Sequence, residues 1–257
     1  MATLVLEATR GYPLKPSHPG PHRVCSGCLI REFAIAGGRH ASTVGHWHSR
    51  SLPSRNGLVA YPILTCHHIR SHAGGTVVLF VYVDYSNVWI EGMRVSAVRK
   101  KLAPSTGAAM RDRITDQSWR LDFGSLYKAV CPPEAQIGRS SMFGSRPPED
   151  DSIWRVARER GFEVTVFDRN AFNKEKGVDM EMGAQIMDDS YQHMKCERGD
   201  RLVLVSGDQD FLPVVRRLAD RQIPTTAVFW DHAAAINLKT GVDRFAPLDP
   251  LFDYITH

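Results

Sequence analysis

The sequence predicts an α/β fold of three layers, in which helices cover both faces of a mainly parallel central sheet. Short β-branched, apolar runs alternate with helical segments over residues 76–250, a pattern typical of parallel strands joined by right-handed crossovers. Residues 76–83 (TVVLFVYV) are apolar throughout, which indicates a strand covered on both faces. Residues 1–75 are rich in Gly, Pro, Ser, His and Arg and predict a disordered N-terminal arm.

The remaining elements follow in order along the chain. A helix is expected at 88–102 and a second strand at 126–130, and the prolines of 132–148 predict a loop. Residues 103–149 would then form a long insert in the domain. The later elements are a helix at 149–160, a strand at 162–167, a helix at 178–194, a strand at 201–205, a helix at 211–221, a strand at 225–230, a short helix at 233–238 and an edge segment from Phe245.

Composition limits the class of protein and its partners. No apolar run approaches the roughly 20 residues of a membrane span, and the first ten residues lack the basic start of a signal peptide. Five scattered cysteines favour a reducing compartment, so we expect a cytoplasmic protein, with a transit peptide as the alternative. Residues 1–75 hold eight Lys and Arg but two Asp and Glu, a balance that suits a polyanionic partner or a merely solvated arm.

A cysteine pair in the arm has the spacing of half a zinc site. Cys25 and Cys28 are separated by two residues, and several histidines follow them. Structural zinc sites usually need a second ligand pair at a regular spacing, which is absent here. The pair alone therefore does not predict a zinc site.

Acidic residues follow the strands of the predicted sheet. Asp84 and Asn87 come after the first strand, and Asp208 and Asp210 come after the strand at 201–205. Asp179 falls in the first turn of the helix that follows another strand. Parallel strands end at one edge of the sheet, where open α/β sheets bind ligands. We therefore expect these carboxylates to converge there, although each one could also serve only as a turn residue or a helix cap.

Such a cluster requires a counter-charge. Two carboxylates about 4 Å apart repel by roughly 4 kcal/mol at an effective dielectric of 20. Oxygen ligands without Cys or His select Mg²⁺ or Mn²⁺ over Zn²⁺. One or two such ions can ionise a water and stabilise the leaving oxygen of a phosphoryl displacement. Asn87 and Ser206 could position a carboxylate, the water or a phosphate.

Three motifs together resemble the NYN domain, a family of the PIN-like and FEN-like nuclease fold. They are VDYSN at 83–87, KGVD at 176–179 and SGDQDFLPVV at 206–215. The resemblance implies a Rossmann-like sheet and metal-dependent RNA cleavage. It also implies metal binding and catalysis at Asp84, Asp179, Asp208 and Asp210, with Asn87 as a polar partner. The segment 103–149 is long for such a domain and departs from the family pattern.

An RNA-cleaving site also needs groups that contact the phosphates. We expect Lys176, which directly precedes Gly177, to do so, together with Lys174, Arg169 and Ser206. The expected partner is single-stranded or flexible RNA. The insert or the N-terminal arm could also carry contacts to a second copy of the chain or to other proteins.

Three functions remain open from the sequence. The first is a Mg²⁺- or Mn²⁺-dependent endoribonuclease, and the alternative is a non-catalytic RNA-binding or adaptor module with the same fold. The third is a phosphatase with an aspartyl nucleophile, which usually carries a second Asp two residues after the first. Tyr85 and Ser86 follow Asp84 here, which counts against the phosphatase.

Overall fold

The structure, a computed structural model, describes residues 76–145, 152–167 and 177–257, and the predicted arm at 1–75 lies outside these ranges. The core of the domain is a six-stranded sheet in the order β3-β2-β1-β4-β5-β6, and every strand pair is parallel. The predicted α/β fold is thus confirmed. The strands are β1 Val78–Asp84, β2 Gln136–Ser145, β3 Glu163–Phe167, β4 Arg201–Val205, β5 Thr225–Phe229 and β6 Arg244–Pro247.

Helices cover both faces of this sheet. On one face, Val81 and Val83 of β1 pack with the apolar sides of α1, α3 and α4. On the other face, Phe80 and Tyr82 pack with α5, α6 and α7. The three layers follow from the period-two alternation of side chains along a strand whose residues are all buried. The helices are α1 Tyr85–Arg99, α2 Thr106–Arg111, α3 Phe123–Val130, α4 Ser152–Glu159, α5 Val178–Gln192, α6 Leu212–Asp220 and α7 Ile236–Gly241.

Two predictions within residues 126–148 are wrong. Residues 126–130 belong to the helix α3, which Asp122 caps by accepting a hydrogen bond from the Ser125 amide at 2.9 Å. The segment predicted as a loop contains β2, which pairs with both β1 and β3. β2 is rich in Gly and Ser because large neighbouring side chains cover it: a Cβ at Gly144 would lie 2.4 Å from the Trp154 ring.

The chain after β6 is also packed. The amide of Asp122 donates to the carbonyl of Ile255 at 2.8 Å, and Leu121 forms an antiparallel bridge with Thr256. Phe252 packs between Trp119 and Trp230. In the described ranges no helix has both the length and the apolar character needed to cross a lipid bilayer.

Candidate active site at the carboxyl edge of the sheet

The strand order creates a crevice between β1 and β4. Connections leave β1 toward β2 on one side and leave β4 toward β5 on the other, so the order reverses between these two strands. Ligands of open α/β sheets bind outside the carboxyl ends of the strands at such a reversal. We call this edge of the sheet, where the strands end, the carboxyl edge. Asp84 ends β1 here, and Ser206 follows β4 directly.

Asp84 is a buried carboxylate that begins α1. Its side chain is the N-cap of that helix and accepts a hydrogen bond from the Asn87 amide at 3.1 Å. The Ser206 hydroxyl donates to its other oxygen at 3.4 Å across the crevice, and only 5 % of Asp84 is exposed. Asp84 therefore does serve as a helix cap, and its contact with Ser206 also joins the ends of β1 and β4.

The loop after β4 is held in a fixed shape. The Asp208 amide donates to the Ser206 hydroxyl at 3.2 Å, and the Asp208 carboxylate accepts from the Asp210 amide at 2.9 Å. Gly207 lies so close to β5 that an added Cβ would be 2.2 Å from the Phe229 ring. Its carbonyl also accepts from the Ala235 amide at 2.9 Å. Asp208 is half-buried and directed by this loop, whereas Asp210 is exposed.

Asp179 and Asp210 meet at a second feature of the same edge. Both line a cleft of about 360 Å³ between α5 and α6, which we call the α5–α6 cleft. Gly177 precedes α5 in a left-handed conformation (φ 85°), a backbone shape that glycine adopts at no steric cost. The cleft is also lined by Met180, Ala184, Met187 and Val214.

The carboxylates thus occupy two connected places instead of one tight cluster. Asp84 and Asp208 are linked through Ser206, and the hydrogen bond between Asp208 and the Asp210 amide connects them to the α5–α6 cleft. Within the described ranges, no three His, Cys, Asp or Glu side chains form a group that could hold a metal ion. The predicted phosphate contacts Arg169, Lys174 and Lys176 lie outside the described residues.

A hard cation nevertheless fits the chemistry of this edge. Mg²⁺ is commonly bound by one or two carboxylates, with waters and substrate phosphates completing its coordination. Asp84 and Asp208 bring two carboxylates to this crevice, because the Ser206 hydroxyl contacts the Asp84 carboxylate and the Asp208 backbone amide. The donor set therefore suits Mg²⁺ or Mn²⁺ better than Zn²⁺.

Several features of this edge were not predicted from the sequence. His232 Nε2 lies 3.1 Å from Glu91 Oε2, which joins the loop after β5 to α1. Tyr85 stacks on Phe123 and Trp89, and burial raises its pKa to about 12, so its hydroxyl stays protonated at neutral pH. The apolar lining of the α5–α6 cleft was also missed. Its signal was present, since Met180, Ala184 and Met187 recur at helical spacing on α5.

The structure thus defines an α/β protein with acidic residues at the reversal point of a parallel sheet. Comparison with models of protein families identifies a family within this class. The model of the NYN domain matches residues 78–249, about two thirds of the chain. The chain belongs to the NYN domain family, a family of PIN-like nucleases. The resemblance of the three motifs is thereby confirmed.

Solved structures agree with this fold. A protein of unknown function from Vibrio parahaemolyticus matches with a TM-score of 0.50 and 17 % sequence identity, covering 70 % of this chain and 96 % of that chain. At this identity, the similarity establishes the fold alone. No curated protein matches the sequence significantly.

Proposed function

We propose that this protein is an endoribonuclease that uses Mg²⁺ or Mn²⁺ to cleave phosphodiester bonds of single-stranded or flexible RNA. One observation carries the proposal: in a member of the NYN family, the Ser206 hydroxyl donates to the Asp84 carboxylate and accepts from the Asp208 backbone amide, which ties these two acidic residues together across the crevice between β1 and β4. Asp179 and Asp210 add two acidic groups at the same edge.

Each residue then has a defined task. Asp84 and Asp208 would hold the cation, with Asp179 and Asp210 as further oxygen ligands or water contacts. When bound, the ion activates a water and neutralises charge on the transferring phosphate. The backbone amide of Asn87 donates to the Asp84 carboxylate at 3.1 Å and so keeps this carboxylate in place. The Ser206 hydroxyl is in contact with both segments and fixes the distance between them.

The preorganisation of these groups is what makes the edge suited to catalysis. The loop that carries Asp208 is anchored to β5 and α7 through Gly207, so its carboxylate does not need to be reordered when the substrate binds. We further propose that Lys176, Lys174 and Arg169, which flank the Asp179 segment in the sequence, contact the RNA phosphates.

The reducing environment expected from the cysteines also belongs to this proposal. Burial raises the pKa of the Cys131 thiol to about 12. Such a thiol is inert as a nucleophile. An inert thiol leaves the chemistry to the carboxylates, and we propose that the enzyme is cytoplasmic.

The test compares three proteins on a fluorescently labelled single-stranded RNA with Mg²⁺ and with Mn²⁺. We expect the wild type to cut the RNA, excess EDTA to stop it, and Asp208→Asn to be inactive with unchanged Tm. The control Asp220→Asn changes an exposed carboxylate at the far end of α6 and should cut like the wild type.

Two outcomes would contradict the proposal. Cleavage that persists in excess chelator would exclude the cation. RNA binding in a gel-shift assay without product at any divalent metal would favour the non-catalytic RNA-binding or adaptor function instead.

A further inference from the structure

The α5–α6 cleft has walls of a kind that the cleavage reaction itself does not require. Met187 and Ala184 line it from α5 and Val214 from α6, while Met180 stands at its mouth with 81 % of its surface exposed. Met180 is the most exposed large hydrophobic side chain of the described residues, and covering it on binding would be favourable. Methionine side chains adapt to flat ring surfaces, because they are unbranched and polarisable.

The close approach of the two helices limits the width of the cleft. A Cβ added at Gly183 would lie 3.5 Å from Val214, in van der Waals contact, so α5 and α6 are packed at this level. The resulting space of about 360 Å³ lies in the lower part of the range of small-molecule pockets, roughly 300–1,000 Å³. It can accept one planar ring system, whereas a duplex or a folded peptide is too large.

Polar groups at the cleft are acceptors. Asp179 and Asp210 both line it, and an ionised carboxylate accepts hydrogen bonds but donates none. None of the described residues donates a hydrogen bond to the Asp210 carboxylate or forms an ion pair with it. A phosphate inside the cleft would be repelled by the negative charge of Asp210. An amino group on a flat apolar ring satisfies both the walls and the carboxylates.

We propose that the α5–α6 cleft binds one unpaired nucleobase of the RNA strand and prefers cytosine to uracil. This inference rests on the proposed function, since it takes the strand to pass along the carboxyl edge. The base would lie against Met187 and Ala184, and Met180 would close over it. The exocyclic amino group of cytosine donates to Asp179 or Asp210, whereas uracil presents a carbonyl oxygen at the same position.

The cleft is continuous with the site of cleavage. Asp210 lies two residues after Asp208, and its amide donates to the Asp208 carboxylate at 2.9 Å. A base in the cleft would therefore place a neighbouring phosphate toward Asp208 and Asp84. A carboxylate has two oxygens, so contact with a base on one oxygen leaves the other for a cation or water.

Binding to oligocytidine and oligouridine of equal length tests this inference by fluorescence anisotropy. The full chain is used in EDTA, which prevents cleavage, at about 0.2 M salt, which weakens the contacts of the basic arm with phosphates. We expect the wild type to bind oligocytidine about tenfold more tightly, the value of one good base contact. Ala184→Leu fills the cleft and should reduce this ratio to about one.

Gln185→Leu is the matched control, because it places the same side chain on the next residue of α5, which does not line the cleft. It should keep the tenfold preference. Equal binding of the two oligomers by the wild type, or an unchanged ratio in Ala184→Leu, would overturn the inference. Neither result depends on catalysis, so a failed cleavage assay and a failed base preference remain distinguishable.

Discussion

Carboxylates near the two ends of the sheet differ in their hydrogen-bond partners. Before β4, Asp200 is fully buried and accepts two charged hydrogen bonds from Arg198, at 2.6 and 2.5 Å. On α5, Asp189 is 2 % exposed and pairs with Arg139 at 2.7 Å. Tyr82 also donates to Asp189. These acids are neutralised inside the fold, and their cost of burial is offset locally.

At the carboxyl edge the acids are held mainly by neutral donors. The Asp208 carboxylate accepts from the Asp210 amide, and Asp84 accepts from the Asn87 amide and the Ser206 hydroxyl. No Lys, Arg or His of the described ranges forms an ion pair with Asp208 or Asp210. Asp200 and Asp189 are thus neutralised within the fold, whereas Asp208 and Asp210 have no cationic partner among the described residues.

This difference separates stability from activity, and substitutions in the two regions should have opposite effects. Residues that are neutralised internally should affect unfolding without affecting catalysis. The acids at the carboxyl edge should affect catalysis with little effect on unfolding.

Asp84→Asn should reduce kcat/KM for RNA about 1,000-fold, because it removes a negative ligand while asparagine still caps α1. Its Tm should change by no more than about 2 °C. Asp122→Asn is a matched control, since Asp122 caps α3 with the same geometry but lies outside the site. Initial rates on labelled RNA measure this loss. If the kcat/KM of Asp84→Asn stays within tenfold of the wild-type value, Asp84 is not part of the catalytic site.

Asp189→Ala should lower the free energy of unfolding by roughly 3 kcal/mol, because it leaves Arg139 and the Tyr82 hydroxyl without their buried acceptor. Urea unfolding measures this loss, and kcat below the transition should stay within threefold of the wild type. As a control, Asp253→Asn breaks an exposed ion pair with Arg99 and should cost less than about 0.5 kcal/mol. A stable but inactive Asp189→Ala protein would reverse the proposed division between the two regions.

Gly207→Ala tests whether the close approach of the β4 loop positions Asp208. The added Cβ would collide with the ring of Phe229 and lie 3.0 Å from the Ala234 backbone, so the loop must shift. We expect a loss of about 2 kcal/mol in unfolding free energy and a fall in kcat of about tenfold. If kcat is unchanged while the Tm falls, the loop packs against β5 without orienting the site.

The smallest expected effect on the free energy of unfolding is at Asp116, and this effect should depend on pH. The Lys100 ammonium at 2.8 Å and the hydroxyls of Ser118 and Ser96 hold the pKa of this carboxyl well below its usual range. A lowered pKa in the folded state stabilises the protein above the unfolded value of about 3.9, and this stabilisation is lost as the pH falls further. Asp116→Asn should therefore cost about 1 kcal/mol at pH 7.

Thermal unfolding at pH 7 and pH 3 checks the sign of this effect. The difference in Tm between the wild type and Asp116→Asn should shrink at pH 3. A difference that grows as the pH falls would mean that the carboxyl is not stabilised in its charged form.

Whether the sequence predicts an element of the fold depends on how clearly its residue pattern indicates a strand or a helix. The strands β1, β3, β4 and β5 are apolar and β-branched, and the sequence predicts each of them within one or two residues. β2 was missed because its sequence, QIGRSSMFGS, has small residues where a central strand usually has large ones. Gly138 shows why: a Cβ there would lie 2.7 Å from the ring of Phe80.

The helix α3 was mistaken for a strand because residues 126–130 (LYKAV) form a short run that is apolar or aromatic except for Lys128. The missed signal was local: Asp122 is an N-cap residue, and Phe123, Leu126 and Val130 recur at helical spacing. For the site, the motifs locate the acids at the carboxyl edge, but the pairing of Asp189 with Arg139 joins residues 50 positions apart. Only tertiary structure shows which acids are neutralised and which face a ligand.

The location of Mn²⁺ in crystals soaked with the ion tests the central claim most directly, by anomalous scattering. The account predicts a peak at the carboxyl edge, within about 2.0–2.5 Å of carboxylate oxygens of Asp84 and Asp208. It also predicts that this peak is absent from crystals of Asp84→Asn. An ion bound only elsewhere on the molecule, or a peak at this edge that Asp84→Asn leaves unchanged, would contradict the account.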